Sequence, residues 1–218
     1  NVVMPELVAQ RFRRSRIVAL STGCVYSFTN PASGGSTEQD ETDPPGEYAR
    51  SCLGRERAFV EGSEHHGTRC ALIRLNYSIE LRYGVLVDIA TQVFARQPVD
   101  LQVPYVNVIW QRDAIAHIVQ SLPHAASPPW IVNVTGADTL SVREIAMEFG
   151  ARFGCDVELI NDSGQADCWL SNSSRARRMF GEPEMPLATM IDWIATWLER
   201  GGPTLGKPTK FQVRDGSY

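Results

Sequence analysis

Thr22 and Tyr48 stand 26 positions apart, and Cys52 follows the tyrosine by four. A phenol exchanges a proton with an alcohol near neutral pH only when its pKa is lowered, while a second hydroxyl can hold the alcohol oxygen. The pair therefore suits hydroxyl-based redox chemistry, provided a cation lies beside the phenolate. A lysine at position 52 would complete Tyr-x-x-x-Lys and bring that cation; a neutral thiol offers neither the charge nor three donors. Without it the phenol should drift back toward its ordinary value of about 10. Of 21 basic residues only Lys207 and Lys210 are lysines, and arginine is a poor substitute in proton-relay chemistry. Cys52 could instead be reactive itself, since thiols near helix N-termini can be acidic, although a cysteine beside Leu53 more often packs.

Such residues need strands and helices to bring them together. Ile17-Val18-Ala19-Leu20 is a short apolar run giving way to Ser21-Thr22-Gly23, the pattern of a buried strand entering a loop. Thr29 to Gly46 is rich in Pro, Gly, Ser, Thr and acids and reads as a surface loop. Glu47 to Val60 follows as a helix carrying Tyr48, and Cys70 to Leu75 as a second buried strand. Before them, Val2 to Phe12 shows Val3, Leu7, Val8 and Phe12 at helical spacing, with Asn1 as cap. Further helices are expected over 85–94, 113–122, 172–180 and 187–199, and strands over 106–110 and 130–134. Ser141, with Glu144 three residues on, forms a capping box for a helix through Phe149. Trp193 and Trp197, one turn apart, are expected to bury area against the sheet. Alternating strand and helix implies a parallel sheet with right-handed crossovers, which binds ligands at the carboxyl ends of its strands. Thr22, Tyr48 and the residues around Leu75 should converge there.

Composition narrows the function classes. At 43% apolar and net charge −4, with no block of like charges, the chain advertises neither a nucleic-acid nor an anionic-membrane surface. No apolar stretch reaches the length of a membrane span, and no signal peptide opens the sequence. Five scattered cysteines without Cys-x-x-Cys spacing suit reduced thiols in the cytoplasm. His65 and His66 read as a solvated turn rather than a zinc site, and Arg11, Arg13, Arg14 and Arg16 as the exposed end of the first helix.

Ser21-Thr22-Gly23-Cys24-Val25-Tyr26, then Tyr48-Ala49-Arg50-Ser51-Cys52 with Glu56, then Arg74-Leu75-Asn76-Tyr77, then Gln111-Arg112-Asp113-Ala114-Ile115-Ala116 occur in order. With Asn133-Val134-Thr135-Gly136 and a final Trp-bearing helix, this series resembles the extended short-chain dehydrogenase/reductase family, the NAD(P)-dependent sugar-nucleotide epimerases and dehydratases, across positions 1 to about 200. The resemblance implies an α/β fold: a Rossmann-like doubly wound parallel sheet, without its N-terminal strands, and a small C-terminal α/β substrate lobe. Positions 1–80 would be the remaining Rossmann-like part, 81–200 the substrate lobe interleaved with returning sheet elements, and 201–218 an irregular tail over the surface.

By the same resemblance Thr22 positions the substrate oxygen, Tyr48 is the acid/base and Asn76 contacts substrate. Ser21, Tyr48 and the Leu75 backbone meet the cofactor, NAD or NADP, and Arg82 is a candidate for a substrate phosphate or carboxylate. The small-molecule partner implied is a sugar nucleotide or similar polyol, and the assembly a homodimer. Two departures stand out. Cys52 replaces the family's lysine, which weakens hydride chemistry or leaves a non-catalytic binding protein of the same fold. Gly23 and Cys24 occupy the place of the dehydratases' acid pair, which disfavours dehydration. No Gly-x-x-Gly-x-x-Gly occurs, so the cofactor's phosphate cradle is expected to be absent from these residues and NAD(P) binding by them alone to be weak.

Overall fold

The computed structural model describes residues 1–162 and 167–214; positions 215–218 of the expected tail lie outside the described residues. Helix α1 (Val3–Arg11) leads into strand β1 (Arg16–Thr22), helix α2 (Gly46–His66) and strand β2 (Arg69–Leu75). Next come β3 (Ser78–Ile79), α3 (Val85–Phe94), β4 (Val99–Asp100), β5 (Tyr105–Val106), β6 (Ile109–Trp110) and α4 (Gln111–Gln120). Strand β7 (Trp130–Val134), β8 (Leu140–Ser141), α5 (Val142–Phe153), β9 (Leu159–Ile160), α6 (Ser174–Phe180) and α7 (Leu187–Glu199) complete the set.

The main sheet runs β1-β2-β7 with every pairing parallel. Successive residues of a strand point to opposite faces, and here each face is apolar and covered. Cys70 and Leu72 pack with Ala9 and Phe59 from α1 and α2, whereas Ala71 and Ile73 pack with Ala114 and Ala176 from α4 and α6. This is the doubly wound α/β arrangement the resemblance implied. A separate core unites α3, α5 and α7 through Ile89, Val93, Ile145, Phe149, Ile191 and Ile194. The short strands β3 to β6, β8 and β9 frame this second core as paired ribbons.

Several local expectations change. The 106–110 strand is two short strands separated by Asn107 and Val108, because the segment turns between an antiparallel partner, β8, and a parallel one, β3. Helix α2 runs on to His66 and stops at Gly67 (φ 67°), whose N–H reaches the Ser63 carbonyl; His65 and His66 are thus helical, at the end that favours positive charge. Asn1 does not cap α1; Val2 takes that position, and the Asn1 amide reaches Ser51 Oγ at 2.8 Å. Val3, Leu7 and Phe12 lie exposed, since α1 meets α2 through Val2 and Ala9 at the side-chain-free surfaces of Gly54 and Gly62. Trp193 stays half exposed, edge-on to Trp110 at 5.8 Å, rather than against the sheet. Trp197 packs on Gly202 and donates its indole N–H to the Pro203 carbonyl. Ser141 caps α5 by accepting the Glu144 N–H, as its spacing suggested.

Candidate functional site

Thr22 is the last residue of β1 and lies in register with Leu75, the last of β2, so both face the space beyond the carboxyl edge of the sheet. Tyr48 enters from the first turn of α2. Together with Ser21, Cys24, Asn76, Tyr77 and Ser78 they line a cavity of about 430 Å³. Its opposite wall comes from Tyr83, Gly84 and Val85 at the start of α3 and from Pro208, Thr209, Lys210 and Phe211. The cavity is large enough for part of a small-molecule ligand.

Each polar residue brings a definite valence. Thr22 Oγ1 accepts the Cys24 N–H at 3.2 Å, opening a short 3-10 turn, and its own proton is left to donate. Asn76 is buried and spends its amide protons on Asn107 Oδ1 (2.8 Å) and the Trp169 carbonyl (3.1 Å); what it can offer a ligand is its carbonyl oxygen. Ser21 also borders the cavity, but its hydroxyl donates to Glu56 at 2.5 Å. Tyr77 holds a left-handed backbone (φ 40°), a strain that clusters at ligand sites.

Tyr48 is half exposed, at 46%. Burial pushes its phenol up from the ordinary value, and the neighbouring Cys52, hydrogen-bonded to it, and Cys24 push further in the same direction; Arg55 pulls it down by less. The phenol is therefore protonated throughout the neutral range. Cys52 is wholly buried against Val25, Tyr26 and Leu53, so a thiol chemistry open to solvent is excluded there. Arg55 lies 4.0 Å from Cys52 Sγ and donates to the Leu20 carbonyl (2.5 Å) and Asn1 Oδ1 (2.6 Å).

Arg82 is elsewhere. Its side chain, half exposed, pairs with Glu80 at 3.1 Å and borders a different cleft, of about 250 Å³, beside Asp88 and Lys207. Sequence reasoning also passed over the residues from the tail and from α3, because nothing in the spacing of positions 203 to 214 marks a return to the sheet edge.

Gly23 explains one departure in atomic terms. A Cβ there would sit 2.8 Å from Ser171 Oγ and 3.0 Å from Asn76 Cβ, so position 23 has no room for an acid. Gly23→Ala is expected to cost about 1–3 kcal/mol by overpacking, read as a lowered urea midpoint. A midpoint equal to that of the unaltered protein would show that Asn76 and Ser171 are loosely held.

No family model matches the sequence, and no curated protein matches it either. Solved structures do match in fold. UDP-glucuronic acid 4-epimerase from Bacillus cereus, in complex with UDP-glucuronic acid and NAD, superposes with a TM-score of 0.77 at 14% identity, covering 91% of this chain and 67% of its own. UDP-glucose 4-epimerase from Thermus thermophilus, in complex with NAD, gives 0.73 at 18%, covering 90% and 67%. Pal from Bacillus thuringiensis gives 0.72 at 16%, covering 89% and 66%. The chain thus spans about two thirds of the length of these proteins and has their fold over that span.

The residues present fit one end of a nicotinamide cofactor. Two strand ends, a hydroxyl and a phenol border a hollow where such folds take dinucleotides. The described residues include no glycine-rich strand-turn-helix to hold a pyrophosphate. Among the described residues no group of three or more His, Cys, Asp or Glu is placed to hold a metal ion, and no helix is long and apolar enough to cross a membrane.

Proposed function

We propose that this chain carries the reaction centre and substrate lobe of an extended short-chain dehydrogenase/reductase, acting on a sugar nucleotide with NAD(P) by epimerase-type chemistry. One observation supports the reading above others: Thr22, Tyr48 and the Leu75-Asn76 pair, from three separate segments, border a single cavity at the sheet's carboxyl edge. The solved structures that share the fold include proteins holding UDP-glucuronic acid and NAD. A bound nicotinamide would supply the hydride acceptor. The chain's own residues do the rest: Thr22 donates to the sugar oxygen, Asn76 accepts from a neighbouring hydroxyl, and Tyr48 exchanges the proton of the reacting alcohol.

Turnover in this reading is slow. A general base must first be deprotonated, and Tyr48 is held above its ordinary value with Cys52 where a cation would lower it. Sign follows directly: below the raised value the phenolate fraction grows about tenfold per pH unit, so a Tyr48-dependent rate should climb without a plateau through the neutral range.

Calorimetric titration with UDP-glucose and UDP-glucuronic acid tests the reading, with Ser78→Trp as a variant that fills the cavity. Saturable binding of either nucleotide sugar, lost in Ser78→Trp and retained within about twofold in Tyr48→Phe, is the expected result. Undiminished binding in a folded Ser78→Trp protein would place the ligand elsewhere.

A further inference from the structure

The segment after α7 returns to the cavity and is held there at several points. Leu205 N–H donates to the Arg82 carbonyl at 3.0 Å. Both the N–H and the hydroxyl of Thr209 donate to Asp88 Oδ2 of α3, at 2.7 and 2.6 Å. Phe211 is buried in the core of α3, α5 and α7. Arg214 lies over the Phe28 ring at 4.4 Å and donates to the Asp167 carbonyl. Lys210 sits between these anchors.

Three features single it out. Lys210 is the one charged residue among the described residues that line the cavity. It is also one of two lysines in the sequence, and every ion pair among the described residues is made by an arginine. Finally, its backbone is left-handed (φ 53°), closed by the Val213 N–H on the Lys210 carbonyl. Four non-glycine residues among those described have positive φ, and two of them, Tyr77 and Lys210, border this one cavity. Strain of that kind persists where surrounding structure fixes it, typically at ligand clamps.

Two roles are open to such an ammonium: support of the Tyr48 phenolate or capture of an anionic ligand group. Arg55, on the same helix as Tyr48, already lowers that phenol. Lys210 belongs to the opposite wall, with Tyr83, Gly84 and Val85. We infer that Lys210 is the anion-binding residue of the cavity and receives the phosphate or carboxylate of the ligand, the tail acting as the strap that presents it. This rests on the sugar-nucleotide reading above.

Calorimetry separates the two claims. Lys210→Met, with Lys207→Met as control because Lys207 borders the other cleft, is titrated with UDP-glucose, UDP-glucuronic acid, UDP and uridine. An exchanged charge-assisted hydrogen bond corresponds to about tenfold or more in affinity. UDP and UDP-glucose should weaken by that factor in Lys210→Met, and the loss should shrink as salt is raised, while Lys207→Met matches the unaltered chain. A loss confined to UDP-glucuronic acid would assign the lysine to the sugar carboxylate instead of the diphosphate, and uridine should not discriminate in either case. A second measurement does not depend on the variant: pyridoxal phosphate followed by borohydride tags accessible lysines, and Lys210 should be protected by UDP and not by uridine. Equal affinity for every nucleotide in folded Lys210→Met, with no protection, overturns the assignment and leaves the sugar-nucleotide reading standing. Failure of the unaltered chain to bind UDP or either UDP-sugar overturns both.

Discussion

Arg74→Met should strip about 3–5 kcal/mol from the folding free energy. Arg74 and Glu56 are both buried, at 4% exposure each. The guanidinium grips the carboxylate with two bonds, Nε to Oε1 at 3.0 Å and Nη2 to Oε2 at 2.8 Å. Its third reach, Nη1 to Tyr26 Oη at 2.8 Å, continues through Tyr26 to Asn133 Oδ1, also 2.8 Å. Burial works against the charge on Arg74, but Glu56 and Tyr26 offset it and hold the group protonated above its ordinary value. Removing the cation leaves Glu56 as an unpaired buried charge, whose penalty in low dielectric exceeds what the pair itself contributes. For a domain whose total stability is typically about 5–15 kcal/mol, that is a large share. Urea denaturation would show the midpoint falling with an unchanged slope. Glu56→Leu combined with Arg74→Met should recover most of the loss, because both charges then leave together. A single-variant loss below about 1 kcal/mol would mean that water reaches the carboxylate.

That network also shows what sequence could and could not reveal. Tyr26, Glu56, Arg74 and Asn133 each contributed to the resemblance as motif residues to which the sequence attached no role of their own. In three dimensions they are one buried scaffold tying β1, α2, β2 and β7 together behind the residues that border the cavity. Pairings such as Tyr26 with Asn133 span 107 positions, and no periodicity encodes a contact of that separation. Strands and long helices were legible because their burial is patterned locally, Cys70 to Arg74 as one unbroken buried run and Leu187 to Glu199 with Met190, Ile191, Ile194, Ala195 and Leu198 buried at helical spacing. The two-residue strands β3, β4, β8 and β9 carry too few residues for a pattern. The apolar face of α1 misled, since Val3, Leu7 and Phe12 have the spacing of a core helix yet α1 is anchored by Val2 and Ala9 against two glycines. Lys210 was invisible in another way. A lysine in a Pro- and Gly-rich tail reads as solvated, and only Thr209 on Asp88 and Phe211 in the core bring it back to the cavity.

Cys52→Lys should raise the Tyr48 phenolate fraction at a given pH by about tenfold or more, the effect of an opposite charge placed within a few ångströms. Tyrosinate absorbance, with Tyr48→Phe subtracting the other phenols, measures this without any ligand. The surroundings oppose a simple gain. Cys52 is wholly buried, and Arg55 Nη2 lies 4.0 Å from its sulfur. Two unit charges at that separation repel by about 4 kcal/mol at an effective dielectric of 20, so the new ammonium should lower the unfolding midpoint unless it extends toward Tyr48. Arg55→Ala added to Cys52→Lys removes the clash. It also removes the weak help Arg55 now gives the phenol, but the lysine stands nearer on the same helix face, four residues after the tyrosine. The double variant should therefore keep most of the phenolate gain and regain stability over Cys52→Lys. In a chain assayed with UDP-glucose and NAD, the pH–rate curve of either lysine variant should level off at lower pH than the unaltered protein, whose phenol titrates beyond the neutral range. Identical tyrosinate titrations before and after Cys52→Lys would mean that position 52 does not control the phenol, and slow turnover would then lose its physical cause.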